Sequence, residues 1–471
     1  MKLLLLYPPD LNVIRGELPE VLQEGIGFVP SVGLLYIAAS VKRRTSWDVE
    51  FVDCAAEGLD HAQVRERIRE ARPDAVGITV TNHQLPDCLD ICRIVRAVDP
   101  KIKILLGGPH VHIYPRETIA FDCVDFVFTG EAEKSVADFL NAWEDPDRWR
   151  GVPGIFYKTR EGVLEGPPVS LIEDLDALPF PDRRLTRQHL YVSPLTEKKS
   201  VTSMITSRGC PFQCTYCARV HFGKKFRARS AGNVVDEMEQ CLGLGIEYIR
   251  VYDDTFTLDR QRVLDICGEI RRRNLRLRWD IRAHINTIDA EMLRALKASG
   301  CDLICYGIES GSDEILKRMK KGITREKAVE VVGMTRKIGI RTLLYFMLGF
   351  PGESREQMLE TIEFAKVLEP DFCHFAILVP FPRTAIYEEG MAQKMFKGDP
   401  WREFAEHPAR NFKPPFWVER VPEEEMRALL DRAYRAFYWR PSYLLKRLLA
   451  LRSWNDFCQK AKTAAHLLRK N

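Results

Sequence analysis

The apolar positions of this chain keep two rhythms that alternate as far as about residue 395. Short continuous apolar runs at 3–7, 49–52, 75–80, 102–106 and 126–129 read as buried strands. Between and after them, residues 31–43, 62–71, 86–98 and 134–143 repeat apolar side chains at helical spacing. The alternation predicts an α/β domain over residues 1–148, a doubly wound, flavodoxin-like parallel sheet. Ligands of such sheets bind at the carboxyl ends of the strands.

A stretch dense in breakers follows. Residues 149–198 hold Gly151, Pro153, Gly154, GPP at 166–168 and LDALPFP at 175–181, which predicts a linker. The alternation then resumes, with strands at 201–205, 248–252, 277–282, 303–308, 342–348 and 373–378. Helical patterns at 231–244, 260–272, 290–299, 325–338 and 355–367 separate them. Residues 199–395 therefore predict a partial (β/α)6 TIM barrel whose lateral opening suits a large substrate. From 396 to 471 the pattern is helical and increasingly basic, with eight lysines and arginines between Arg440 and Asn471 against one acid, Asp456. Such a tail suits packing across the barrel, a partner, or peripheral contact with an anionic membrane.

Composition changes this picture little. A chain of 471 residues needs more than one core, and 45% hydrophobic with 29% charged residues is ordinary for a globular protein. No apolar run approaches the ~18–20 residues that span a bilayer, and the apolar start at 1–7 is too short for a signal peptide. A net charge of +4 gives no reason to expect nucleic acid. Thirteen cysteines without a secretory signal point to a reducing, cytoplasmic setting.

Three of those cysteines carry the chemistry. Cys210, Cys214 and Cys217 lie in CPFQCTYC at 210–217, just after the first barrel strand and a turn at 207–209. Iron–sulfur clusters are normally held by four thiolates, so a triad leaves one iron open to another ligand. With His221 the stretch also spells a Cys3His zinc knuckle, although such knuckles sit on small modules rather than at the head of a long α/β array.

The loop resembles the cluster motif of the radical SAM superfamily. The resemblance implies a [4Fe-4S] cluster on Cys210, Cys214 and Cys217. Its open iron is chelated by S-adenosylmethionine, which is cleaved reductively to a 5′-deoxyadenosyl radical. The resemblance also implies cofactor contacts from Tyr216 near the adenine, Asp253 and Asp254 in DDTF at 253–256, Arg282 with His284, and Glu309 and Ser310 in GIESG at 307–311. Capping of the helices that follow is the other reading of Asp254 and Glu309. GFPGE at 349–353 matches the family's loop near the adenine, and Arg383 stands at the substrate mouth where relatives often carry glycine.

In the first domain, Thr79 and Thr81, Gly107, Gly108 and His110 of GGPH, and Thr129, Gly130 and Glu131 of TGEAE close successive strands. No GxGxxG follows the first strand, so a dinucleotide is disfavoured. These loops resemble the cobalamin-binding domain that precedes many radical SAM domains, and the resemblance implies that they surround the nucleotide tail. The cobalt-ligating Asp-x-His-x-x-Gly signature is absent, which leaves His83, His110 and His112 without that context. Cys88 and Cys92, one helical turn apart, read as core.

The expected protein is thus a cobalamin-dependent radical SAM enzyme, of the kind that includes hopanoid methylases and the anaerobic porphyrin-ester cyclases. It is expected to methylate an unactivated carbon, with cobalt passing the methyl to a substrate radical. Ring formation with the same cofactors is the alternative, and a non-catalytic cobalamin or cluster sensor is a further one. The implied partners are a small molecule, such as a lipid or tetrapyrrole, and an electron donor such as ferredoxin or flavodoxin.

Overall fold

The computed structural model describes residues 1–13, 29–193, 196 and 200–449. Strands β1 (Lys2–Tyr7), β2 (Asp48–Asp53), β3 (Ala75–Thr79), β4 (Lys103–Gly107) and β5 (Phe126–Phe128) pair in parallel in the order β2-β1-β3-β4-β5. This is the flavodoxin-like order, with its topological switch between β1 and β3. The sheet is buried on both faces: Leu4, Leu6, Val76 and Ile104 face one hydrophobic core, and Leu3, Leu5, Ala75 and Leu105 face another. Burial on both sides is why these strands read as continuous apolar runs rather than as alternation.

Part of the expected linker is sheet. β6 (Ile155–Thr159) and β7 (Gly162–Glu165) form a hairpin that adds antiparallel to β5. The glycines that signalled a break mark its two ends. A Cβ at Gly154 would lie 2.2 Å from Val169, and one at Gly166 would lie 1.9 Å from the Val152 carbonyl. They permit close approach of backbones rather than disorder. The following segment ties the two sheets together. Arg183, fully buried, donates to the Thr202 hydroxyl and the Ser203 carbonyl and pairs with Glu237 at 2.6 Å.

β8 (Val201–Met204) opens the second sheet. A two-stranded ribbon, β9 (Ser207–Arg208) with β10 (Arg227–Ala228), brackets the cysteine loop. The sheet continues with β11 (Tyr248–Val251), β12 (Arg278–Ala283), β13 (Cys301–Glu309), β14 (Arg341–Leu348) and β15 (Phe372–Ile377), all parallel in chain order. Ile249, Ile281, Ile304, Leu344 and Phe375 pack outward against the helices. The alternate positions make a more polar interior, where Arg250 pairs with Asp280 at 3.0 Å and Leu303, Cys305 and Leu343 form a small separate cluster.

A six-stranded barrel leaves an edge, and edges need covering. The helix Glu423–Tyr438 covers the edge of β15: the Tyr434 hydroxyl takes the Phe375 N–H and donates to the Phe375 carbonyl, and Tyr438 does the same for Cys373. Tyr387, Trp401 and Phe404 join the core of the first domain. No helix among the described residues is long and apolar enough to cross a membrane. The basic stretch at 450–471 lies outside the described residues.

Candidate functional site

Gly209 turns the chain out of β9 with φ +86, and a Cβ there would meet the Lys225 carbonyl at 2.2 Å. The cysteine loop begins at once. Its walls are fixed by contacts to the ends of the barrel strands. The Thr215 N–H donates to the Met319 carbonyl and its carbonyl accepts from the Ile386 N–H. Phe212 stacks on His284, at the end of β12, at 3.9 Å. The Cys210 sulfur lies 3.6 Å from the Thr255 hydroxyl.

Desolvation, then the neighbouring Cys214, push the Cys217 thiol up to about 11, with Asp254 and Cys210 adding to the effect against Arg219. Three thiolates together at this point require a cationic partner. The three sulfurs do not all lie within 4.8 Å of one another, and among the described residues no carboxylate or imidazole completes a tighter set with them. A single tetrahedral zinc, with Zn–S of ~2.3 Å, would draw its sulfurs to about 3.8 Å. His221 instead sits against His112 and Phe222. The donor set therefore fits a cluster with one thiolate per iron and one iron left over, and does not fit a zinc knuckle.

Around the loop, Asp254 reaches solvent, and Arg282 lies 3.8 Å over the Tyr252 ring. Loss of water, then Asp253, raise the Asp254 carboxyl, against Arg282 and the Gly209 N–H. Neither Asp254 nor Glu309 caps a helix; Asp259 and Ser312 hold those positions. Glu309 is held at φ +70, a strained backbone for a side chain of its size. Its carboxylate pairs at 3.0 Å with Lys321, which also donates to the Tyr216 hydroxyl at 3.1 Å. Tyr216 packs among Ile315, Met347 and Phe350. Lys321 was not legible in sequence, where it is half of an ordinary Lys-Lys pair after a helix.

Other expected contacts have different partners. The Asp253 carboxylate is buried and accepts from the Thr206 N–H, the Thr206 hydroxyl and the Ser207 hydroxyl. It braces the strand that launches the cysteine loop. The buried Ser310 hydroxyl bonds Thr361 and the Ser312 N–H, which ties the loop after β13 to the helix Arg355–Leu368.

In the first domain, Gly108 has φ +104, and a Cβ there would come within 2.9 Å of Thr79 and Val80. The loop after β4 thus lies directly on the end of β3. Thr81 bonds Gln84, and Thr129 and its N–H bond the Gly154 carbonyl. A Cβ at Gly107 would meet only the Phe128 carbonyl, at 3.9 Å. The Gly130 N–H donates to His112 Nδ1 at 2.9 Å. His110 is wholly buried against Asn82 at 2.7 Å, and burial lowers its pKa to about 3, so it is neutral. Cys88 and Cys92 are fully buried, as read.

Glu131 departs most from expectation. Its buried carboxylate takes two hydrogen bonds from Arg227, at 2.6 and 2.9 Å, and one from the Ile172 N–H. Arg208 lies 3.5 Å from it and 2.5 Å from Glu133. Burial raises the Glu131 carboxyl, but Arg227 and Arg208 together bring it below the usual carboxylate range. The acids end β5, and the arginines stand on β9 and β10, on either side of the cysteine loop. One buried clamp therefore sets the loop of the first sheet against the cysteine loop of the second.

Known proteins show the same pairing. The B12 binding domain model matches residues 22–140, and the Radical SAM superfamily model matches residues 204–365. An uncharacterized methyltransferase of Pyrococcus horikoshii is 32% identical over 450 residues, 95% of this chain and 94% of its own. The chain belongs to the cobalamin-dependent radical SAM family. The anaerobic magnesium-protoporphyrin IX monomethyl ester cyclase of Rubrivivax gelatinosus is 27% identical, over 88% of this chain and 75% of its own. In fold, the radical S-adenosylmethionine methyltransferase TsrM of Kitasatospora setae superposes with a TM-score of 0.71 at 19% identity, covering 94% of this chain and 89% of that one. OxsB, a cobalamin-dependent S-adenosylmethionine radical enzyme, gives 0.74 at 16%, covering 98% and 70%. As a member of the cobalamin-dependent radical SAM family, the protein is an enzyme whose cofactors are a [4Fe-4S] cluster, S-adenosylmethionine and cobalamin.

Proposed function

We propose that this cobalamin-dependent radical SAM enzyme methylates an unactivated carbon of a small-molecule substrate held between its two sheets. The observation that carries this reading is the Glu131/Glu133–Arg208/Arg227 clamp, which faces a cobalamin-type loop toward the cysteine triad. The methyltransferase names borne by the Pyrococcus relative and by TsrM support it. When bound, these cofactors supply radical generation from S-adenosylmethionine and a transferable methyl group.

In this reading Cys210, Cys214 and Cys217 ligate the cluster, and Thr255 and the Phe212–His284 stack hold their loop in place. Asp254 and Glu309 face S-adenosylmethionine, Glu309 oriented by Lys321, while Tyr216 is fixed by the same lysine beside the adenine. Arg282 lies at the barrel mouth. Gly107, Gly108 and Gly130 let backbone approach the cobalamin tail, with Thr79, Thr81 and Thr129 as hydroxyl contacts. Glu131, Asp253, Ser310 and His110 act through the framework. An electron donor of the ferredoxin or flavodoxin class reduces the cluster. The lateral opening of the barrel accommodates a large, lipid- or tetrapyrrole-sized molecule.

The cyclase relative supports ring formation as a second reading. Methyl-labelled S-adenosylmethionine separates the two. Methyl transfer predicts label in the product and 5′-deoxyadenosine beside it; 5′-deoxyadenosine with an unlabelled product would leave ring formation standing.

A further inference from the structure

The loop after β15 makes a tight turn in which the Thr384 N–H donates to the Phe381 carbonyl. Pro382 takes the first central position and Arg383 the second, with φ +66. That is the type II pattern, whose second central residue is ordinarily glycine because an L side chain is strained there. Arg383 is exposed, and no hydrogen bond or ion pair joins its guanidinium to another described residue.

The turn occupies a particular place. Three residues on, the Ile386 N–H bonds the Thr215 carbonyl inside the cysteine loop. On the other side Phe381 of the same turn packs against His83 in the loop after β3, with 5.7 Å between ring centroids, and the Arg383 charge acts on His112 and Tyr114. His112 accepts the Gly130 N–H at Nδ1, and desolvation followed by Arg383 holds its pKa below the ordinary value. It is therefore the neutral tautomer with the proton on Nε2. That N–H has no partner among the described residues. Two donors without a partner among the described residues, one in the loop after β15 and one after β4, thus stand where the two domains meet.

We propose that Arg383, with the Nε2–H of His112 opposite it, receives an anionic oxygen group of the substrate, a carboxylate or phosphoryl group. A guanidinium suits such a group because its fork matches two oxygens at once. This rests on the methyltransferase reading and adds to it the class of substrate: a molecule that carries an anionic group near the carbon to be methylated. The phosphate of the cobalamin tail has the same chemistry and is the competing source.

The test uses the full chain loaded with cluster and cobalamin, titrated by calorimetry with inorganic pyrophosphate. Wild type is expected to bind it saturably, and Arg383→Gly at least tenfold more weakly, as loss of a charge-assisted contact implies. Arg383→Lys is expected to recover part of the loss. Glycine fits the turn, so Arg383→Gly is expected to melt no lower than wild type. Equal binding by wild type and Arg383→Gly, or none by wild type, overturns the proposal. Uptake of cobalamin and of tail-less cobinamide gives the second arm. If Arg383→Gly weakens cobalamin selectively, the anion is the cofactor's own phosphate and the substrate assignment is overturned. Failure of the underlying reading shows elsewhere, as wild type that forms no 5′-deoxyadenosine from S-adenosylmethionine.

Discussion

The carboxyl ends of the two parallel sheets are built alike and furnished differently. At the end of the first sheet, polar side chains are mostly engaged within the protein: Glu131 in the clamp, His110 with Asn82, Thr81 with Gln84. What remains for a ligand there is chiefly backbone brought close by glycine, with threonine hydroxyls that can still accept and the Nε2–H of His112. At the end of the barrel sheet, Cys217, Asp254 and Arg383 are exposed and Cys210 and Arg282 partly so, grouped around one loop. The first arrangement suits a large cofactor recognised by shape. The second suits small charged ligands recognised group by group, because each needs its own donor or acceptor.

The sharpest way to break this comparison is at the triad. Cys217 lies at the exposed edge of the loop, so Cys217→Ala is expected to fold normally. It should lose the visible absorption of the cluster, with 5′-deoxyadenosine formation at background while cobalamin uptake is unchanged. Loss of cobalamin as well would mean that the two ends do not bind independently.

Next in size is the clamp that joins them. Glu131→Gln leaves Arg227 buried without its carboxylate while Arg208 keeps Glu133, and a broken buried pair costs about 3–5 kcal/mol. Urea unfolding should show that loss. The double variant Glu131→Met/Arg227→Met should lose less than the two singles added together. Because the folded Glu131 carboxyl titrates below the ordinary glutamate range, its contribution is full above that range and disappears as acid protonates it. The gap between wild type and Glu131→Gln should therefore narrow below about pH 4.

The smallest effect is at the first sheet itself. Gly108→Ala adds a Cβ within 2.9 Å of Val80 backbone atoms at a positive φ, a strain worth about 1–3 kcal/mol. Cobalamin affinity, read by absorption, should fall while iron content stays. An equal loss of both would show that the two ends are not separate recognition surfaces.

Much of the fold was legible because both sheets are parallel and buried, so each strand is a run of apolar residues with a helix after it. The triad was legible because its three cysteines lie within eight residues. The hairpin at 155–165 was hidden, since Gly154 and Gly166 look the same in sequence whether they break a chain or let two backbones touch. The strand-end acids illustrate a deeper limit. Asp253 and Asp254 are neighbours, yet one braces Thr206 and Ser207 and the other faces solvent. Just beyond β11 the chain sends these two side chains to different surroundings, and which one is left for a ligand depends on what packs there. Lys321, Arg208 and Arg227 carried no signal for the same reason: their acids lie 12, 77 and 96 residues away.

The sequence by itself determined the alternation of elements, the spacing of Cys210, Cys214 and Cys217, and the glycines at the strand ends, because these depend on neighbours along the chain. The tertiary structure alone decided which polar groups are free. It turned Glu131 from a ligand contact into a clamp, joined Glu309 and Tyr216 through Lys321, and left Arg383 without a partner among the described residues, in a strained turn. Hydrogen bonds and ion pairs are short-ranged and directional, so a residue's chemistry is assigned only when folding has chosen its partner.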